Sequence, residues 1–303
     1  MKKHLLFLFT ALLPMLASAH DFEFDGIYYN ITSEADKTAM VTFKGNSSSS
    51  YDDEYSGSIT IPATVTYEGV NYSVTSIGNY AFYYCRSLTA ITIPENSQLT
   101  SIGRGAFEDC TSLTAITIPE SLTSIGNQAF SGCSSLTAIT IPEGVTSIGN
   151  QAFYSCSSLT AITLSEGVTS IGEGTFYGCS SLTSITLPAS LTSIGGYAFY
   201  DCSSLTAITC HAVTPPTVES NYTFDKVDKG IPVYVPAGSV EAYKEAKYWS
   251  EFTNYVGIEA GIDKSQLTTG SEQLTIYDLR GRRVDNLVKG GIYIVGGKKV
   301  IIK

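Results

Sequence analysis

The stretch CSSLTAITIP, residues 133–142, decides how the chain is read. Ile139 and Ile141 alternate with Ala138 and Thr140, as the two faces of a short strand do, and Leu136 joins the isoleucines on the inward side. Pro142 and the following Glu143-Gly144 end that strand with turn chemistry. VTSIG then gives a second extended segment with Val145 and Ile148 inward. Gly149 reads as a turn residue, Phe153 returns the chain to the core, and Cys156 closes the coil.

Near-copies of the decapeptide begin at Cys110, Cys156, Cys179 and Cys202, and a looser one begins at Cys85. Aligning the SIG triplets puts Ile77, Ile102, Ile125, Ile148, Ile171 and Ile194 in one column, spaced 25 residues once and 23 thereafter. The consensus is LTSIGxxAFxxCSSLTAITIPEG, and a fixed period carrying L-x-x-I-x-I marks a leucine-rich solenoid. The expected fold is mainly β, with about six 23-residue coils over residues 74–216. In-register stacking turns each column of like residues into a ladder of about 4.8 Å repeat. Phe82, Phe107, Phe130, Phe153, Phe176 and Phe199 then form a spine, each buried ring contributing about 1.5–3 kcal/mol. Cysteines one coil apart have parallel Cβ vectors about 4.8 Å apart, wider than the ~3.8 Å typical of a disulfide. Buried free thiols are therefore expected, with pairing of Cys202 and Cys210 left as an alternative.

The flanking segments differ in pattern. Residues 1–19 carry Lys2 and Lys3, an apolar run and Ala17-Ser18-Ala19, the organisation of a secretory signal. Residues 20–73 alternate apolar and polar residues around NSSSSYDDEYSG and read as an antiparallel β cap. Residues 217–258 hold a strand, IPVYVPAG, and a helix-like SVEAYKEAKYWSEF with Ser239 as N-cap and Trp249 and Phe252 inward. Residues 259–303 read as a linker and a small all-β tail, carrying eight basic and five acidic residues behind an acidic body.

The net charge of −10 argues against nucleic acid, whose affinity rests on cations neutralising phosphates. Past residue 19 no stretch is long and apolar enough to span a bilayer. Catalytic chemistry finds no constellation: His20 and His211 stand outside any motif, and the reading is of a non-enzyme without cofactor or metal. Glu95, Glu120, Glu143 and Glu166 form a turn column read as solvated charge. The outward strand positions are mostly Ala and Thr, poor in the residues that dominate binding hot spots. The column after the buried phenylalanine is more promising: Tyr83, Glu108, Ser131, Tyr154, Tyr177 and Tyr200. Tyr154, Tyr177 and Tyr200, with Tyr83, are the candidate binding residues. Tyr51, Tyr55 and Asp52-Asp53-Glu54 offer a second contact site on a loop.

The repeat LTSIGxxAFxxCSSLTAITIP closely resembles the BspA-like, Treponema-type leucine-rich repeats of bacterial surface proteins, and both caps look like those of Bacteroidetes members. The resemblance implies a secreted or outer-surface protein that adheres to host extracellular matrix, or to a cell-surface protein or glycan. A structural, self-associating surface spacer is the alternative. The tail, with YDLRGRRV, GIYIV and KKVIIK, resembles the carboxyl-terminal sorting domains of type IX secretion.

Overall fold

The computed structural model describes residues 20–44, 53–262, 276–277, 283–284, 292–295 and 298–302. The expected signal, residues 1–19, lies outside these, as do Tyr51, Asp52 and much of the tail.

The chain winds into a mainly β solenoid of about eight turns. Each repeat gives one short strand to each of two parallel ladders. One ladder runs through the Ser-Ile pairs, from Ile77 to Ile102, Ile125, Ile148, Ile171 and Ile194. The other pairs the Ala-Ile-Thr segments, for example Ala138 with Ala161 and Thr140 with Thr163. Leu136, Ile139 and Ile141 are buried, while Ala138 and Thr140 face solvent, as the alternation predicts.

The stack continues past the recognisable repeats at both ends. Thr38–Thr42 pairs in parallel with Val70–Ile77, setting Val41 on Ile77, and Gly57–Thr60 pairs with Leu88–Thr92, setting Ile59 on Ile91. A coil without the consensus therefore lies inside the segment expected to be an antiparallel cap. Among the described residues of that segment, antiparallel pairing is confined to Phe22–Phe24 with Ile27–Ser33, Ile27–Ser33 with Thr38–Thr42, and the Thr64–Tyr67 hairpin with Val70–Ile77. At the other end Thr217–Val218 pairs with Ser193–Ile194, Pro232–Pro236 with Ala207–Cys210, and Asn254–Ile262 with Pro232–Pro236, all in parallel. The stretch from residue 259 read as a linker thus begins as strand. Its far end pairs with Lys298–Ile302, and Ile292–Val295 and Ile276–Tyr277 extend the same sheet. Tail strands cover an edge whose N–H and C=O groups would otherwise be open to other chains.

The carboxyl-terminal helix is short, Val240–Glu245, and Ser239 does not cap it with its side chain. A 3-10 turn, Ala237–Ser239, already leads into the helix, so the hydroxyl is not placed to receive its first N–H groups. Trp249 and Phe252 do turn inward, and the Trp249 Nε1–H donates to the Pro216 carbonyl at 2.9 Å.

Four ladders hold the coils together. The phenylalanine rings stack 5.0–5.7 Å apart from Phe82 to Phe224, one coil beyond the six expected. Tyr55 continues the spine at one end and Trp249 at the other. All seven cysteines are buried free thiols. The thiols of Cys110, Cys133, Cys156, Cys179 and Cys202 each donate to a phenylalanine carbonyl of the preceding coil at 3.0–3.2 Å. Burial raises their pKa values, so they stay protonated and able to donate. Threonine hydroxyls form the third ladder, as in Thr160 to the Thr137 carbonyl at 3.1 Å and Thr169 to that of Thr146 at 3.1 Å. The glycine of each SIG triplet forms the fourth. Gly149 opens the expected turn, its carbonyl receiving the Ala152 N–H at 3.2 Å, but what demands glycine there is room: a Cβ would stand 2.6 Å from the Asn127 nitrogen and the Gly126 carbonyl carbon, so glycine permits the coils to approach.

Candidate functional site

On the phenylalanine side of each coil the backbone makes successive i→i−3 turns, as in Phe153, where Tyr154 N–H donates to the Gln151 carbonyl and Cys156 N–H to that of Phe153. The residues two before and two after the phenylalanine take left-handed conformations, seen at Tyr80, Gln128, Gln151 and Tyr197 before it and Tyr84, Asp109, Ser155 and Asp201 after it. Left-handed backbone costs a non-glycine residue about 1–2 kcal/mol. These conformations aim the N–H groups of Gln151, Phe153 and Ser155 at carbonyls of the next coil, which they meet at 2.7–2.9 Å. The backbone on this side is consumed by stacking, and only side chains face outward.

Among the predicted residues, Tyr154, Tyr177 and Tyr200 come together. Their rings stack with centroids 4.7 Å apart at each step and planes within 15°. Each is half-buried, because neighbouring rings cover its faces and leave its rim in water. Lys226 closes the far end, its Nζ 4.8 Å from the Tyr200 centroid and 3.5 Å from the Asp201 carboxylate. Tyr83 does not join them. Glu108 and Ser131 intervene in the column, and Tyr83 instead contacts Tyr80 and Tyr84 at the opposite end, with Arg86 over the Tyr84 ring.

The structure adds two tyrosines that the column missed. Tyr197 and Tyr222 stand two residues before Phe199 and Phe224, Tyr197 with left-handed backbone; they stack on each other at 5.1 Å, and Tyr197 lies beside Tyr200. They are 37% and 46% exposed, two of three large hydrophobic residues that face solvent among the described residues. The result is one patch of five tyrosines on a scaffold whose exposed strand positions are mostly Ala and Thr.

The loop expected as a second contact site behaves differently where it is described. Tyr55 is buried, receiving the Tyr28 N–H at 3.1 Å and donating to the Thr42 carbonyl at 2.9 Å. Asp53 receives the Ser87 N–H at 2.6 Å, and Glu54 that of Lys44 at 2.8 Å. These residues fasten the first coil because each finds a local donor. His211 is also structural: it lies 3.9 Å from Glu166 through Nδ1, its Nε2 is buried without a hydrogen bond, and burial lowers its pKa, opposed by Glu166. Among the described residues no group of three or more His, Cys, Asp or Glu side chains is arranged to hold a metal, and no helix is long and apolar enough to cross a membrane.

Stacked parallel coils, a buried phenylalanine spine and a 23-residue repeat define a leucine-rich repeat solenoid. The family model of the BspA type leucine rich repeat region matches in six copies, over residues 51–166 and 75–206. The chain belongs to that family. A leucine-rich cell surface protein from Faecalibacterium prausnitzii is similar in structure at 27% identity and a TM-score of 0.51, covering 79% of this chain and 73% of its own. The T. pallidum leucine rich repeat protein is similar in fold at 23% identity and a TM-score of 0.53, covering 76% of this chain and 92% of its own. The pneumococcal vaccine antigen PcpA shares the fold at 20% identity and a TM-score of 0.54, covering 72% and 64% respectively. Comparison with curated proteins gave no match.

Proposed function

We propose that this chain is a cell-surface binding protein that uses the tyrosine patch to hold a host matrix protein, another cell-surface protein or a glycan. The observation that carries the reading is concentration: Tyr154, Tyr177, Tyr200, Tyr197 and Tyr222 form one continuous run of ring contacts on one side of the solenoid, whose exposed strand positions are mostly Ala and Thr. Tyrosine gives large contact area with only two side-chain torsions to freeze, which is why it concentrates binding energy. Family membership and the likeness to a protein described as a cell surface protein support the location. Export on the amino-terminal signal, with sorting by the carboxyl-terminal tail, belongs to the same proposal.

The test is a solid-phase assay on immobilised matrix proteins and intact cells, comparing wild type with the triple variant Tyr197→Ala, Tyr200→Ala, Tyr222→Ala. Losing three adjacent rings at a binding centre predicts a drop of at least about tenfold. Equal binding by the two proteins removes the patch as the contact surface.

A further inference from the structure

Residues 74–216 contain two arginines and no lysine, Arg86 and Arg104, against eight carboxylates. Both arginines are exposed and stand on the phenylalanine side of neighbouring coils, ahead of the tyrosine patch. The Arg86 guanidinium lies 4.7 Å from the Tyr84 ring centroid, and that of Arg104 lies 5.9 Å from the Tyr80 centroid. Arg104 also donates from Nε and Nη2 to the Gln128 side-chain oxygen at 3.3 and 3.1 Å. These contacts hold two guanidinium groups in place without neutralising them, since among the described residues neither forms an ion pair. The carboxylates of the same side, Glu108 and Asp109, are half-buried and lie over Gly105 and Gly132. A guanidinium stacked by one face on a ring keeps its N–H edge free for a carboxylate from outside.

The matching charges stand across the coil. Each Ala-Ile-Thr strand leads through a short turn to a Ser-Ile strand, which returns through the phenylalanine turns, so the two kinds of turn lie on opposite edges. Glu95, Glu120, Glu143 and Glu166 project from the short turns of four successive coils, and all four are exposed. Glu166 is engaged, receiving the Ala189 N–H at 3.0 Å and lying 3.9 Å from His211. Glu95, Glu120 and Glu143 have no cation partner among the described residues. Arg86 and Glu95 flank one strand, Leu88–Thr92, and Arg104 and Glu120 flank the strand paired with it, Ala115–Ile116. The positive edge and the negative edge therefore carry their charges at the same two levels of the stack, about 4.8 Å apart.

We propose that the chain associates side by side with a second copy in the same orientation, Arg86 and Arg104 of one copy pairing with Glu95 and Glu120 of the next. Two copies share one coil spacing, so pairs that meet at one level meet at the other. Glu143 then falls level with Gln128, whose amide oxygen is held by Arg104 and whose NH2 is left to donate. Every copy offers both edges, so the contact is heterologous and extends into a row of parallel solenoids instead of closing as a two-fold dimer. None of these residues belongs to the tyrosine patch, and the association is independent of what that patch holds.

Exposed ion pairs are individually weak, so the full chain is expected to associate at about 0.1–1 mM protein in low salt and to return to monomer at about 1 M salt, where the Debye length is about 3 Å. Sedimentation velocity reads both. Arg86→Glu with Arg104→Glu, and separately Glu95→Arg with Glu120→Arg, set like charges edge to edge and are each expected to weaken association at least about tenfold. Mixed in equal amounts, the two reversed proteins regain opposite charges at every contact and associate within about threefold of wild type. Lys244→Glu with Lys247→Glu changes the net charge as much as the arginine reversal does, but away from both edges, and keeps wild-type association. All the changed side chains are exposed, so superimposable circular dichroism melts separate association from folding. A chain that stays monomeric up to about 1 mM in low salt, reversed proteins that associate as wild type does, or a mixture that stays apart overturns the proposal. Loss of association in the lysine control overturns it too, because net charge and not the paired edges then governs the contact.

Discussion

Truncating Phe153 to alanine tests whether the spine holds the coils together. The ring is fully buried and stacks on Phe130 at 5.3 Å and Phe176 at 5.7 Å. Removing such a ring costs about 3–5 kcal/mol in transfer and cavity terms. The cavity cannot collapse easily, because coil spacing is fixed by glycine contacts and inter-coil hydrogen bonds on both sides. For a chain of this size a urea m-value of about 3 kcal/mol/M converts that loss into a midpoint shift of about 1–1.7 M. The defect also falls mid-stack, where a solenoid's stability is a sum of neighbouring interfaces. Trp249, the single tryptophan, sits at the carboxyl-terminal end of the spine, so its fluorescence reports that end while far-ultraviolet circular dichroism reports all the coils. Phe153→Ala is expected to separate the two transitions, which coincide in wild type. A midpoint shift below about 0.3 M, or transitions that remain superimposed, refutes the spine as the element that couples the coils.

Gly149→Ala drives a methyl group into the backbone of the preceding coil and is expected to destabilise by at least about 2 kcal/mol, whereas Gly238→Ala, with open space at its Cβ position, stays within about 0.5 kcal/mol; thermal melts of the two variants check the contrast. His211 has its protonation disfavoured chiefly by burial. The unfolded chain therefore takes up the proton first as pH falls, and the stability this residue contributes is full above its ordinary value near 6.5 and is lost below it. Wild type should lose more Tm between pH 7 and pH 5 than His211→Gln does; parallel pH profiles would show that the residue is not the cause.

The central coils were legible because their columns repeat without variation: the isoleucines, phenylalanines and cysteines each specify one inward direction six times. The end coils were not. Val41, Ile59 and Tyr55 at one end, and Val218, Phe224 and Val233 at the other, occupy the same positions but lack the Ser-Ile-Gly and Cys-Ser-Ser framing, so local alternation suggested caps. Gly149 shows a different limit. Sequence marks a glycine but does not say whether it is needed for a backbone angle or for room, and here a neighbouring coil decides. Tyr222 was missed because it lies in a coil without the consensus and meets Tyr197 only through the stack, and Tyr197 because the direction of its side chain depends on left-handed backbone. A clue was present, since that column carries glycine at Gly105 and Gly174, where positive φ is cheapest. Tyr83 shared a column with the stack, but contact requires consecutive coils, and Glu108 and Ser131 break the run.

The sameness of the inner coils carries a consequence for how the chain finds its register. Sliding the middle of the stack by one full repeat sets Ile on Ile, Phe on Phe and Cys on a Phe carbonyl again, so the interior alone discriminates weakly between native and slipped pairings. What breaks the degeneracy lies at the ends, where Tyr55 meets Phe82 and Trp249 meets Phe224. Coils nucleated in the centre must wait for these unique partners before the count is fixed. The irregular ends thus act as the start and stop marks of a ruler whose graduations are otherwise alike.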